Sequence, residues 1–230
     1  MPRRNALSAL ALGAVLCLAA CGSDHPSASP AWVPARVPLA QGSLGPGFWD
    51  DPSGPPPPEG TITPSPGSWD GVHPAAGYRV ALLIDGVPSG SREQTAVLRA
   101  AVQEWAHSVD ASITEFVAAK ATTYVATIQS AIDAHADLVI SVGNGLVDPV
   151  AMVSAPNPDT SFLIVGSQIA EPTPNVTATD WVGAMFRGEG LGLPEGYDPE
   201  SFTPERAGRA VRAGVAAVLS GLNGTVVEIS

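Results

Sequence analysis

Residues 78–230 predict a doubly wound, mainly parallel α/β domain of about five to six strands with helices on both faces. Three observations point there. Short uninterrupted apolar runs such as Val80–Ile84 are what strands covered on both faces show. Longer segments between them carry apolar residues at spacings of three and four, as amphipathic helices do. The two kinds alternate, and strand–helix–strand crossovers of this length are right-handed and join parallel strands.

The first strand, Val80 to Ile84, runs into Asp85-Gly86. Ser91 to His107 reads as a helix with Ala96, Val97, Ala100, Ala101 and Trp105 on one stripe. Ile113 to Ala118 is a second strand, and Thr123 to His135 a second helix with Val125, Ile128 and Ile132 inward. Leu138 to Val142 is a third strand ending at Gly143-Asn144-Gly145, and Val147 to Val153 a short helix stopped before Pro156. Phe162 to Val165 and Val176 to Trp181 supply a fourth and fifth strand. Thr203-Pro204-Glu205 is a helix start: a hydroxyl N-cap, Pro at the first helical position and an acid near the positive dipole end. That helix is expected to reach about Leu222, with Asn223-Gly224 as its left-handed stop, before a last strand from Thr225 to Ile229.

Residues 1–20 read as a signal peptide: Arg3 and Arg4, a small-apolar core, then Leu18-Ala19-Ala20 before Cys21. That last motif is a lipobox, which makes Cys21 the lipidated first residue of the mature chain, held at the outer face of a bacterial cell membrane. Cys17 leaves with the signal, so no thiol remains for a disulfide, a metal or a nucleophile. Residues 21–77, rich in Pro, Gly and Ser and including Pro55 to Pro58, read as a linker lifting the domain off the membrane. Phe48-Trp49 and Trp69 leave two readings open, a stalk that packs on the domain or an aromatic surface for the envelope. The chain's charge of −11, with Lys120 its one lysine, excludes a basic nucleic-acid patch.

Asp85 falls at the carboxyl end of the first strand, the edge where open parallel sheets bind ligands. Ser89, Ser91 and Gln94 follow at the helix start, and Gly143 and Asn144 lie on the same edge. In the functional reading these residues hold a polar ligand. In the local reading Asp85 accepts loop N–H bonds, Ser89 or Ser91 caps the helix, and the glycines serve turns. No nucleophile elbow, phosphate loop or dinucleotide fingerprint is present, and neither His107 nor His135 has a metal-pair spacing, so neither an enzyme nor a cofactor is expected. Arg206, Arg209 and Arg212 share a helical stripe that reads as a solvated face or a protein contact.

Five stretches together resemble the N-terminal lobe of the basic membrane protein family. They are Val80-Ala81-Leu82-Leu83-Ile84-Asp85-Gly86, Asp137-Leu138-Val139-Ile140 with Gly143, Pro158-Asp159 with Phe162, Pro174-Asn175-Val176, and Gly183-Ala184-Met185-Phe186-Arg187-Gly188. The resemblance implies a type I periplasmic-binding-protein lobe, a lipoprotein substrate-binding role beside an ABC permease, and a nucleoside or other small polar solute as ligand. Where the family opens its first helix with Ser-Phe-Asn, this chain has Ser91-Arg92-Glu93. The expectation is therefore one lobe, completed by a homodimer if a two-lobed cleft forms at all, with an envelope interaction or sensing module as the contrasting function.

Overall fold

The computed structural model describes residues 40–51, 54–87, 91–184 and 197–230; the signal segment, Cys21 and Ser89 lie outside the described residues. In chain order the strands are β1 (Ala40–Gly42), β2 (Thr61–Ile62), β3 (Val72–Pro74), β4 (Arg79–Asp85), β5 (Ser112–Ala118), β6 (Leu138–Val142), β7 (Phe162–Val165), β8 (Val176–Asp180) and β9 (Val226–Glu228). The helices are α1 (Arg92–Ser108), α2 (Tyr124–Asp133), α3 (Val147–Ser154) and α4 (Pro204–Leu219), with 3-10 turns at Ala121–Thr123 and Pro199–Ser201.

Seven strands form one sheet in the order β2-β9-β8-β7-β6-β4-β5, each pair of neighbours parallel. β1 and β3 make a separate antiparallel pair. The chain steps outward from β4 to β5, returns to the other side of β4 as β6, and then advances through β7, β8 and β9. This is the doubly wound α/β class expected. Alternation along β4 builds both cores: Val80, Leu82 and Ile84 join α1 and α4 on one face, while Ala81 and Leu83 join α2 and α3 on the other. Leu98, without exposed surface on α1, contributes about 1.5–3 kcal/mol by its burial alone.

α4 lies unusually close to the sheet because Gly214 faces it. A Cβ there would stand 2.5 Å from Thr179 Cγ2 and 2.7 Å from Leu163 Cδ1, so any side chain would push the helix outward. Its start is as expected: Thr203 Oγ1 accepts from Arg206 N at 3.2 Å, with Pro204 behind it. Its end is not. Gly221, at φ +76, supplies the left-handed residue, with Leu222 N donating to Ala217 O and Gly221 N to Val218 O, the paired bonds of a Schellman motif. Gly224 instead turns the chain into β9.

The linker expected over residues 21–77 is corrected in its second half. Thr61–Ile62 adds the seventh strand beside β9, and Phe48, Ile62, Trp69 and Val72 are buried in the same core as α1 and α4. The stripe expected on α1 is rotated as well: Gln94, Leu98, Ala101, Val102, Trp105 and Ala106 are buried, whereas Ala96 and Ala100 are exposed. On α2, Ile128 and Ala131 point inward, and Val125, half exposed, does not. Alanine signals helix without signalling a face, which is why the α1 stripe was misplaced; on α2 Ile128 and Ile132 pack inward as expected.

Candidate functional site

The reversal of strand order falls between β4 and β6, and the carboxyl ends of those strands bring Asp85 to the loop Gly143-Asn144-Gly145. Asp85 Oδ1 accepts from Val87 N at 2.9 Å and from the Tyr124 hydroxyl at 2.8 Å. Gly145 lies against the same carboxylate so closely that a Cβ would be 2.7 Å from Asp85 Cγ. One carboxylate thus ties together the loops that follow β4, β5 and β6. Burial first, then the hydrogen bond and charge of Asp85, push the Tyr124 phenol up to about 12. The hydroxyl stays a donor throughout the physiological range.

The other candidates divide. Gly143, at φ +75, donates its N–H to Val165 O at 2.9 Å, fixing the turn that presents Asn144. Asn144 is exposed, and its Oδ1 accepts from Ser167 Oγ at 3.2 Å, linking the loops after β6 and β7. Ser91 precedes α1, and its carbonyl accepts from Thr95 N at 3.0 Å. Gln94 turns toward Pro199: its side chain is buried, its Nε2 reaches Pro199 O at 3.5 Å, and its Oε1 has no hydrogen-bond partner among the described residues. The groove beside Asp85, about 180 Å³ between Gly86, Val87, Arg92, Thr95 and Arg99, is smaller than the roughly 300–1,000 Å³ of small-molecule sites.

The Asp85–Tyr124 bond is testable by Tyr124→Phe. Removing one donor from a half-buried carboxylate that keeps its Val87 N–H should cost about 1–2 kcal/mol in chemical denaturation. An unchanged midpoint would show that the hydroxyl does not restrain the loop.

Several residues that organise the lobe away from Asp85 were not legible as such. Asn175, buried at the entry to β8, donates from Nδ2 to Ser154 O, Asn157 O and Thr160 O at 3.1, 2.9 and 2.9 Å, and accepts from Thr173 Oγ1 at 2.7 Å. It organises the α3–β7 connection rather than facing the carboxyl edge. At the far end of β8, Asp180 is 6% exposed and accepts a short hydrogen bond from Gln168 Nε2. Burial and the neighbouring Glu228 charge raise its carboxyl to about 6 against the lowering effect of Gln168. Trp181, Arg206 and Glu228 line a larger cavity, about 410 Å³, where β2, β8 and β9 end. The arginine stripe is accordingly not all solvent-facing: Arg206 Nη1 donates to Ser201 O at 3.2 Å and its Nε is buried. Among the described residues no group of three or more His, Cys, Asp or Glu is placed to hold a metal, and no helix is long and apolar enough to cross a membrane.

No protein-family model matches the chain, and no curated protein matches it. Among solved structures it is similar to a "putative lipoprotein" fragment from Peptoclostridium difficile 630, at 15% identity over 62% of this chain and 98% of that one, with a TM-score of 0.46. It is also similar to ABC transporter solute-binding proteins from Aeropyrum pernix K1 (15% identity, TM-score 0.39) and Conexibacter woesei DSM 14684 (21% identity, TM-score 0.37). Those likenesses cover 46% and 45% of this chain, and only 29% and 35% of the two binding proteins. At TM-scores below 0.5 they carry no functional weight. The fold stands on the strand order and register given above.

Proposed function

We propose that this chain is an exported lipoprotein, lipidated at Cys21, whose single α/β lobe binds a small polar solute of nucleoside type as the receptor component of an ABC importer. The observation that supports it is the meeting of Asp85 with the Gly143–Gly145 loop at the point where strand order reverses, the usual ligand crevice of open parallel sheets. The resemblance to basic membrane protein lobes agrees in kind. Ser89 and Ser91 on the same connection, together with Asn144, are the proposed polar contacts, and Gln94, turned toward Pro199, is not among them. A second copy of the chain would supply the opposing wall of a closed cleft.

Thermal-shift measurements on the full chain in detergent, against nucleosides and related polar solutes, test this reading. A midpoint shift that Asp85→Ala abolishes supports it; no shift with any solute, together with a specific envelope protein recovered by cross-linking, would replace it. Labelling cells with a tagged palmitate should mark the chain, and label kept in Cys21→Ala would refute the anchor. A second reading, a protein-interaction or sensing module that kept the fold, is favoured by one feature: the Asp85 oxygen facing Val87 and Tyr124 already has two internal donors.

A further inference from the structure

The second cavity lies at the opposite end of the carboxyl edge, away from β4 and β6. Its volume of about 410 Å³ falls within the range of small-molecule sites. Pro64, Trp181, Val182 and Ile229 give it apolar walls, and its charged side chains are one of each sign, Arg206 and Glu228. Trp181 is a fixed wall: its Nε1 donates to Ser201 Oγ at 2.9 Å, and its ring meets Phe202 edge-on at 4.9 Å between centroids. Val182 beside it is 85% exposed, an apolar side chain left at the rim.

Arg206 is the unusual member. It stands in the first turn of α4, where the helix dipole opposes a cation. One terminal nitrogen is used by Ser201 O, yet the buried Nε has no acceptor among the described residues. A buried guanidinium N–H without a partner is destabilising, and a carboxylate is the planar acceptor that the guanidinium fork takes best. An anion alone would bring a like charge to Glu228, and a cation alone would bring one to Arg206. An occupant with both charges avoids both conflicts.

From this pairing we infer that the cavity binds a free α-amino acid with an apolar side chain, its carboxylate on Arg206, its ammonium toward Glu228 and its side chain against Trp181 and Val182. The site is distinct from the Asp85 edge and does not depend on solute binding there.

Calorimetric titration of the full chain in detergent with leucine, N-acetylleucine and leucinol separates the two charge contacts on unaltered protein. Leucine should bind, and each analogue, lacking one charge, should bind about tenfold or more weakly, as expected when a charged hydrogen-bonded group is lost. Arg206→Gln and Glu228→Gln should each weaken leucine to a similar extent while melting cooperatively. Equal affinity for leucine and either analogue, leucine binding undiminished in a folded Arg206→Gln, or no heat with leucine would each overturn the assignment. A nucleoside that binds while leucine does not would overturn this site and leave the Asp85 reading standing; leucine binding with no response to any nucleoside would do the reverse.

Discussion

Phe48→Ala should lower the stability of the folded lobe by about 3–5 kcal/mol, the cost of emptying a buried aromatic site. Phe48 is 2% exposed and belongs to the cluster that unites β4, α1 and α4. Its backbone is fixed on both sides: Ser65 N donates to Gly47 O at 2.8 Å, Gly45 N to Ser68 O at 2.7 Å, and Gly47 N to the Asp50 carboxylate at 2.8 Å. The surroundings cannot easily collapse into the vacated space, because Trp49 is tethered through its Nε1 to Gly54 O at 2.7 Å and Trp69 is itself buried. A phenylalanine in a solvated tether would change stability by no more than about 0.5 kcal/mol. Urea denaturation decides between these: a lower midpoint with an unchanged slope fits a core residue, whereas an unmoved midpoint would remove this segment from the fold.

Asp180→Asn should stabilise the protein at pH 8 by about 3 kcal/mol, which for a lobe of this size raises the melting temperature by roughly 5–10 °C. The carboxyl titrates at about 6 when folded, against 3.8 ordinarily, so the native state holds a proton that the unfolded chain has already released. Stability from this group is whole below about pH 4 and is lost as pH rises through 6. Above that, the folded protein carries a buried carboxylate beside Glu228, its register partner on β9. Asparagine keeps an acceptor for Gln168 and carries no charge at any pH. Melting curves at pH 4.5 and 8 should therefore converge for the variant and diverge for the parent chain. Parallel pH profiles for the two would show that Asp180 is not the group responsible.

The strands of this lobe were legible because burial on both faces leaves a largely apolar run, unbroken in Phe162–Val165 and interrupted only by Ser141 in Leu138–Val142. β2 could not be read that way, since a two-residue strand between prolines has no run to show, and its partner lies more than 160 positions later in the chain. Asp85 was placed correctly at a strand end, but its donor Tyr124 comes from another connection, 39 residues away, and no local pattern joins them. Arg206 carried a faint signal, a cation three residues after a helix cap, where an acid is the ordinary choice. Its spacing with Arg209 and Arg212 hid that signal, because equal spacing says which residues share a face and not how deeply each is buried.

The pairing of Thr61–Ile62 with β9, and of Ala40–Gly42 with Val72–Pro74, also limits how much of the chain could serve as a tether under the proposed lipid anchor. If residues 22–77 were all tether, a lipid on Cys21 would allow a radius of about 185–200 Å at full extension. With residues 40–77 held by the pairings of β1 and β2 and by the burial of Phe48 and Trp69, that stretch adds nothing to the reach, which is shortened by about 125–135 Å. If Cys21 carries the proposed lipid, a lobe whose reach is shortened by that much has a higher effective concentration toward any membrane-embedded partner and less access to soluble partners deeper in the envelope.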